Sequence, residues 1–116
     1  GNRIGDIGAA VQQYAEQAGY SVVREMVGHG IGKNMHESPE VPNYGKQGKG
    51  KKLSEGMVIC IEPMINMGKK DIYLHNDGWT VSTVDKQRSA HYEFMVAVRA
   101  GKADVLTTLD YIENKL

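Results

Sequence analysis

Residues 57–64 read Met57-Val58-Ile59-Cys60-Ile61-Glu62-Pro63-Met64: five apolar side chains in succession, then a carboxylate, then a proline. The unbroken apolar run predicts a buried strand over residues 57–61. Pro63 ends its ladder, because proline has no N–H to donate. Glu62 therefore stands where a buried strand stops, and a carboxylate there is costly unless it is compensated. Either the strand has already surfaced at Glu62, or a cation meets the charge and burial tunes the group as a general base. The apolar setting favours the second reading. The pattern recurs downstream, where Glu93 interrupts the apolar stretch Tyr92-Glu93-Phe94-Met95-Val96 of a strand expected over residues 92–98. Two buried carboxylates in one small domain repel each other unless cations lie between them. A two-metal site with a bridging carboxylate resolves that conflict.

Two histidines supply matching donors. His29 lies in Gly28-His29-Gly30-Ile31-Gly32, and His36 opens His36-Glu37-Ser38-Pro39. Imidazole nitrogen with carboxylate oxygen is a ligand set for divalent transition metals. Glycine at every second position bends the backbone or lets it be closely approached; a turn that happens to hold a histidine reads the same way. The spacing from His29 to His36 does not stack the two rings on one helical face. One histidine as metal ligand and the other as donor to a developing oxyanion fits the spacing, as does a plain loop histidine at His36. Cys60, between isoleucines, reads as a core residue and not a nucleophile. No nucleophile elbow is present. His75 lies beside a turn and reads as solvated. His91 can share a side with Glu93 by the two-residue period of a strand, which makes it a support for a ligand.

Around these motifs the scaffold alternates little and turns often. Ile4, Ile7, Val11, Tyr14 and Ala18 recur at three- and four-residue steps, the stripe of an amphipathic helix, and Gly19 sits where a left-handed cap would end it. Residues 21–24 predict a short strand. Residues 43–52 carry three glycines and four lysines and predict a mobile surface loop. The lysines Lys46, Lys49, Lys51 and Lys52 read as solvated; an anionic partner such as RNA is the alternative. Ser54-Glu55-Gly56 is a turn. Residues 71–75 and 79–84 form a hairpin about Asn76-Asp77-Gly78. A last strand is expected over residues 105–108 and a helical turn over residues 109–116. One helix followed by mainly antiparallel strands is an α+β order, with the helix packed on one face of a curved sheet.

The chain has 116 residues, enough for one domain over residues 1–116 with a modest core. Fourteen basic residues balance 14 acidic ones, so no global field favours nucleic acid or a membrane. No apolar run approaches the roughly 20 residues of a membrane span. A single cysteine excludes an internal disulfide and fits a reducing cytoplasm. The chain opens without methionine, inside what reads as a helix with no capping stretch, which suggests a piece of something longer.

The runs Val22-Val23-Arg24-Glu25, Gly28-His29-Gly30-Ile31-Gly32, His36-Glu37-Ser38-Pro39, Glu62-Pro63-Met64, Asp77-Gly78-Trp79-Thr80-Val81 and Ser89-Ala90-His91-Tyr92-Glu93 closely resemble the type I methionine aminopeptidases in order and spacing. The resemblance implies half of a pita-bread (creatinase/aminopeptidase-like) fold. It implies a cytoplasmic enzyme that removes the initiator methionine from nascent polypeptides with two divalent ions, Mn, Fe, Co or Zn. It gives His29 as a terminal metal ligand, Glu62 as ligand and general base, and Glu93 as bridging ligand. His36 is the histidine that steadies the tetrahedral intermediate, and Trp79 lines the methionine side-chain pocket. The family's two aspartate ligands lie upstream, and the chain has the length of the C-terminal half alone, so the resemblance implies an isolated chain that is inactive. Expected partners are the N-termini of nascent peptides, the missing N-terminal half and the ribosome, with a homodimer of the fragment driven by its exposed half-core, and no membrane. Three positions depart from the family: His91 replaces a common glutamine, Phe94 a common histidine, and Met35 an aromatic pocket residue. An Xaa-Pro peptidase of the same fold and a non-catalytic pita-bread binding module are the alternatives; Asp77-Gly78-Trp79 argues against the first, and the intact histidine and glutamates against the second.

Overall fold

The computed structural model describes residues 1–113. The apolar stripe forms α1, Ile4–Gln17. Its first N–H groups have no partners within the helix, and the chain supplies them in two ways. Asp6 accepts the Arg3 amide at 2.6 Å while the Asp6 amide donates to Arg3 O at 3.0 Å, a capping box that the sequence reading did not see. The lysine- and glycine-rich loop supplies the rest: Ile4 N donates to Lys51 O and Gly5 N to Lys49 O, each at 2.9 Å, and Gly48 N donates to Asp6 Oδ1 at 2.7 Å. The amide of Gly48, then that of Arg3, holds the Asp6 carboxyl below its usual range. The segment expected to be a mobile loop is thus pinned to the helix it caps. At the other end Gly19 takes the expected left-handed turn, with φ +83°.

The strands are β1 (Ser21–Val22), β2 (Gly28–Gly30), β3 (Glu37–Val41), β4 (Val58–Ile61), β5 (Met64–Asn66), β6 (Ile72–Leu74), β7 (Val81–Thr83), β8 (Ser89–His91), β9 (Phe94–Val98) and β10 (Ala103–Val105). A four-residue helix, α2 (Asp110–Glu113), closes the described chain, so the expected helical turn is present as far as it can be followed; residues 114–116 lie outside the described residues. The last strand comes two residues earlier than expected, and β2, β3, β5 and β8 are strands where the sequence predicts none. The principal sheet is antiparallel in the order β10-β9-β4-β2-β3. A second sheet pairs β1-β5-β8, and β6-β7 is the expected hairpin.

The apolar run becomes β4, in the middle of the principal sheet, and alternation splits its side chains between two faces. Ile59 and Ile61 face α1, where Ile4, Val41, Ile59 and Val96 form the buried cluster and Ile7, Leu53 and Phe94 pack against it. Each fully buried aliphatic there contributes about 1.5–3 kcal/mol. Cys60 and Glu62 belong to the other face. Only part of the helical stripe is covered: Ile4, Gly8 and Ala15 are buried, whereas Tyr14 is 81% exposed.

Candidate metal centre

Pairing brings the separated motifs together. β2 lies against β4 with His29 opposite Cys60, and β4 lies against β9 with Ile61 opposite Phe94. One step beyond that last pair stand Glu62 and Glu93. Backbones approach closely here: a Cβ at Gly28 would lie 2.1 Å from Cys60 O, and one at Gly30 would lie 2.3 Å from Ser38 O. The glycines on either side of His29 are therefore there for contact between strands. A bulge between His29 and Gly30 in the β2–β3 ladder re-aims the chain at the imidazole.

His29 Nδ1 lies 2.8 Å from Gly30 O, which can only accept, so Nδ1 carries the hydrogen. The neutral ring then offers only a lone pair at Nε2. That nitrogen faces Glu62 Oε1 at 3.2 Å, with both side chains only 16% exposed. Two lone pairs at this distance need a proton or a cation between them. On its other side Glu62 Oε2 lies 3.3 Å from His91 Nε2. His91 is thereby joined directly to the strand-end carboxylate, and the histidine that stands in place of glutamine still has a polar partner.

The ligand atoms of His29, Cys60 and Glu93 fall within 4.8 Å of one another. Glu93 is exposed, contrary to the expectation of burial, because β9 starts only at Phe94 and the carboxylate stands on the open rim. Cys60 is buried, as a core residue should be, yet it touches this cluster: burial pushes its thiol up to about 12, helped by the hydrogen bond and negative charge of Glu93. The His36 ring lies 4.3 Å from the His29 ring, centroid to centroid, tilted by 52° and exposed. It stands where a donor could reach a molecule seated at the centre. Asn43 was hidden in the glycine-rich loop. It is fully buried, with Nδ2 3.5 Å from the Glu62 carbonyl oxygen.

An imidazole nitrogen facing one carboxylate at 3.2 Å, with a second carboxylate at the rim, is a donor set that fits one or two divalent ions of the first transition row. The Gly30 carbonyl orients the imidazole, as in established metal sites where a histidine's other nitrogen is tied down. The donor set alone does not complete two coordination shells.

Trp79 is 87% exposed at the tip of the hairpin and shares no ring contact or side-chain hydrogen bond with the cluster among the described residues. Its backbone is held by Asp77, whose Oδ1 accepts from Trp79 N at 3.0 Å and Thr80 N at 2.8 Å, and whose Oδ2 accepts from Thr80 Oγ1 at 2.5 Å. The Thr80 hydroxyl, then the backbone amides of Trp79 and Thr80, hold the Asp77 carboxyl below its usual value of 3.8. A lowered carboxylate stabilises the turn fully above that value and loses it only as pH falls through the lowered one. In this chain, with its single tryptophan, Asp77→Ala is expected to reduce the fluorescence anisotropy of Trp79. Acidification of the parent should do the same, but only below pH 3.8. Unchanged anisotropy in the variant would mean that strand pairing alone holds the turn.

The family model of metallopeptidase family M24 matches residues 1–100. The chain is 53% identical over 108 residues to the methionine aminopeptidase of Clostridium perfringens, covering 93% of this chain and 43% of that protein. It is 54% identical over 107 residues to methionine aminopeptidase B of Synechocystis sp., covering 92% and 39% respectively. Among solved structures, the methionine aminopeptidase of Rickettsia prowazekii matches with TM-score 0.91 at 48% identity, over 93% of this chain and 44% of that one. That of Thermotoga maritima matches with TM-score 0.90 at 42% identity, over 93% and 43%. The chain thus spans less than half the length of these relatives, and its α+β architecture is the half pita-bread expected from the motifs. With the family model aligned over 100 of 116 residues, the chain belongs to metallopeptidase family M24.

Proposed function

We propose that the chain is the C-terminal half of a methionine aminopeptidase, whose complete polypeptide removes the initiator methionine from nascent chains in the cytoplasm. One observation carries the reading: the His29 Nε2 lone pair confronts the Glu62 carboxylate at 3.2 Å, beside a second glutamate, an arrangement that a divalent cation completes. When bound, two divalent ions (Mn, Fe, Co or Zn) supply Lewis acidity for hydrolysis of the peptide bond. His29, Glu62 and Glu93 would hold them from this half, and two aspartates of the upstream half would complete the set. Glu62, oriented by His91, takes the proton from the attacking water and returns it to the leaving amine. His36, on the exposed side of His29, donates to the scissile carbonyl oxygen as negative charge grows there. Trp79 forms one wall of the methionine pocket, and its exposure is that of a wall whose opposite side belongs to the missing half.

Uncovered apolar surface supports the same reading. A groove of about 690 Å³ runs past Val11, Tyr14, Tyr20, Pro63 and Ile65. Surfaces of this kind are covered in a finished domain; in isolation they favour a homodimer. No helix among the described residues is long and apolar enough to cross a membrane. The N-termini of nascent peptides are the substrates, and a contact with the ribosome is consistent with them.

The test is methionine release from a Met-Ala-Ser peptide with added manganese or cobalt. This chain alone is expected to release none, because three donors leave the centre incomplete, and adding the upstream half in trans is expected to restore release. Release by the chain alone would overturn the half-site reading. Cleavage of Xaa-Pro peptides only by the restored pair would assign it to the proline-specific peptidases.

A further inference from the structure

Cys60 lies within the cluster formed by His29 and Glu93. It sits two residues before Glu62 in β4 and so shares its face, directly opposite His29 on one neighbouring strand and Met95 on the other. Its sulfur, a nitrogen of His29 and a carboxylate oxygen of Glu93 lie within 4.8 Å of one another. The side chain is only 2% exposed, yet it is not sealed in: Cys60 lines a cleft of about 210 Å³ together with Ile31, Glu93, Met95 and Thr107. Cys60 and Glu93 thus share the wall of one cleft.

We propose that Cys60 joins His29 and Glu93 as a sulfur donor, giving the centre a soft position for a thiophilic divalent cation, cadmium or zinc. The inference rests on the reading of this face as a metal centre and adds to it a ligand type that changes which ion is held. Nitrogen, sulfur and oxygen from three side chains, with a fourth position left to solvent, is a zinc-type donor set. Soft sulfur ligands select zinc and its heavier congener over manganese and magnesium, which prefer oxygen. On binding, the thiol proton leaves to solvent and the sulfur–metal bond forms, so one proton is released per ion taken up at this position. A hard ion leaves the thiol protonated and hydrogen-bonded to Glu93. The identity of the ion therefore depends on Cys60 as well as on the carboxylates.

The experiment titrates the metal-free complete protein, and its Cys60→Ser variant, with cadmium and with manganese. A near-ultraviolet thiolate-to-cadmium charge-transfer band is expected in the parent and not in the variant. Cadmium affinity is expected to fall about 10–100-fold or more on substitution, since loss of a direct ligand costs at least as much as loss of a group that only orients one, with manganese affinity little changed. Should the serine variant fail to fold, the cadmium NMR shift of the parent alone separates a sulfur-bound ion from one held by nitrogen and oxygen. Equal cadmium binding and identical spectra for parent and variant, or a parent shift typical of oxygen and nitrogen ligands, would overturn the role of Cys60 and leave the nitrogen–oxygen centre standing. A parent that binds neither ion would instead remove the metal-centre reading, and this inference with it.

Discussion

Glu62→Gln in the complete protein is expected to lower methionine release by about 10³-fold or more, because under the proposed function it removes a ligand and the group that accepts the water's proton. The substitution keeps the shape of the side chain. It replaces a carboxylate oxygen beside His29 Nε2 by an amide that can donate to it, so the lone-pair conflict at 3.2 Å is relieved without an ion. The metal-free variant should therefore be at least as stable as the metal-free parent. The response to metal separates the two proteins. Manganese at 100 times its dissociation constant should stabilise the parent by about 2.7 kcal/mol and leave the variant nearly unchanged. Thermal unfolding with and without metal reads this directly, alongside the peptide assay. Turnover within tenfold of the parent would remove Glu62 from the chemistry. A variant destabilised in the absence of metal would show that the carboxylate is held by protons from its histidines instead.

Gly28→Ala is expected to be the most damaging single methyl group added to the fold. Its Cβ would lie 2.1 Å from Cys60 O and 3.3 Å from the Cβ of Val41. The near atom is backbone of the central strand, so no side chain can swing aside. β2 must move away from β4, which breaks the pairing of His29 with Cys60 and loosens Val41, fully buried in the core, against Ile59. Overpacking where the neighbour cannot yield costs about 3 kcal/mol or more, a large fraction of the stability of a small domain. Gly32→Ala is the matched control. There the added methyl meets the Glu37 carboxylate, the nearest oxygen 2.9 Å away, and that flexible side chain can rotate clear at a cost of about 1 kcal/mol or less. Denaturant midpoints of the two variants should differ widely. Equal midpoints would mean that the β2–β4 contact is looser than its geometry implies.

Much of the scaffold was legible along the chain, since its signals are local. The stripe from Ile4 to Ala18 announces α1 through its period, Gly19 announces its end, and Asp77-Gly78 announces the hairpin that holds Trp79. The run over residues 57–61 announces β4 because only a buried strand tolerates so many apolar side chains in a row. The short strands β2, β3, β5 and β8 gave no such signal: their residues are in strands because a neighbour pairs with them. The loop over residues 43–52 misled for a related reason. Its glycines and lysines describe a solvated segment, yet its carbonyls are fixed by the unpaired amides of the first turn of α1.

For the site, the sequence by itself supplied the residue types, His29, His36, Glu62 and Glu93, and the chemistry they suit, because ligand chemistry belongs to the side chain. Tertiary structure alone decided which atoms meet. Strand register turns the sixty-odd residues between His29 and Glu93 into a separation of a few ångströms, sets His91 on the far oxygen of Glu62, leaves Glu93 on the rim, and brings Cys60 from the core run into the ligand cluster. Register arises from long-range hydrogen bonding and packing between strands, and no short-range pattern in the chain encodes it.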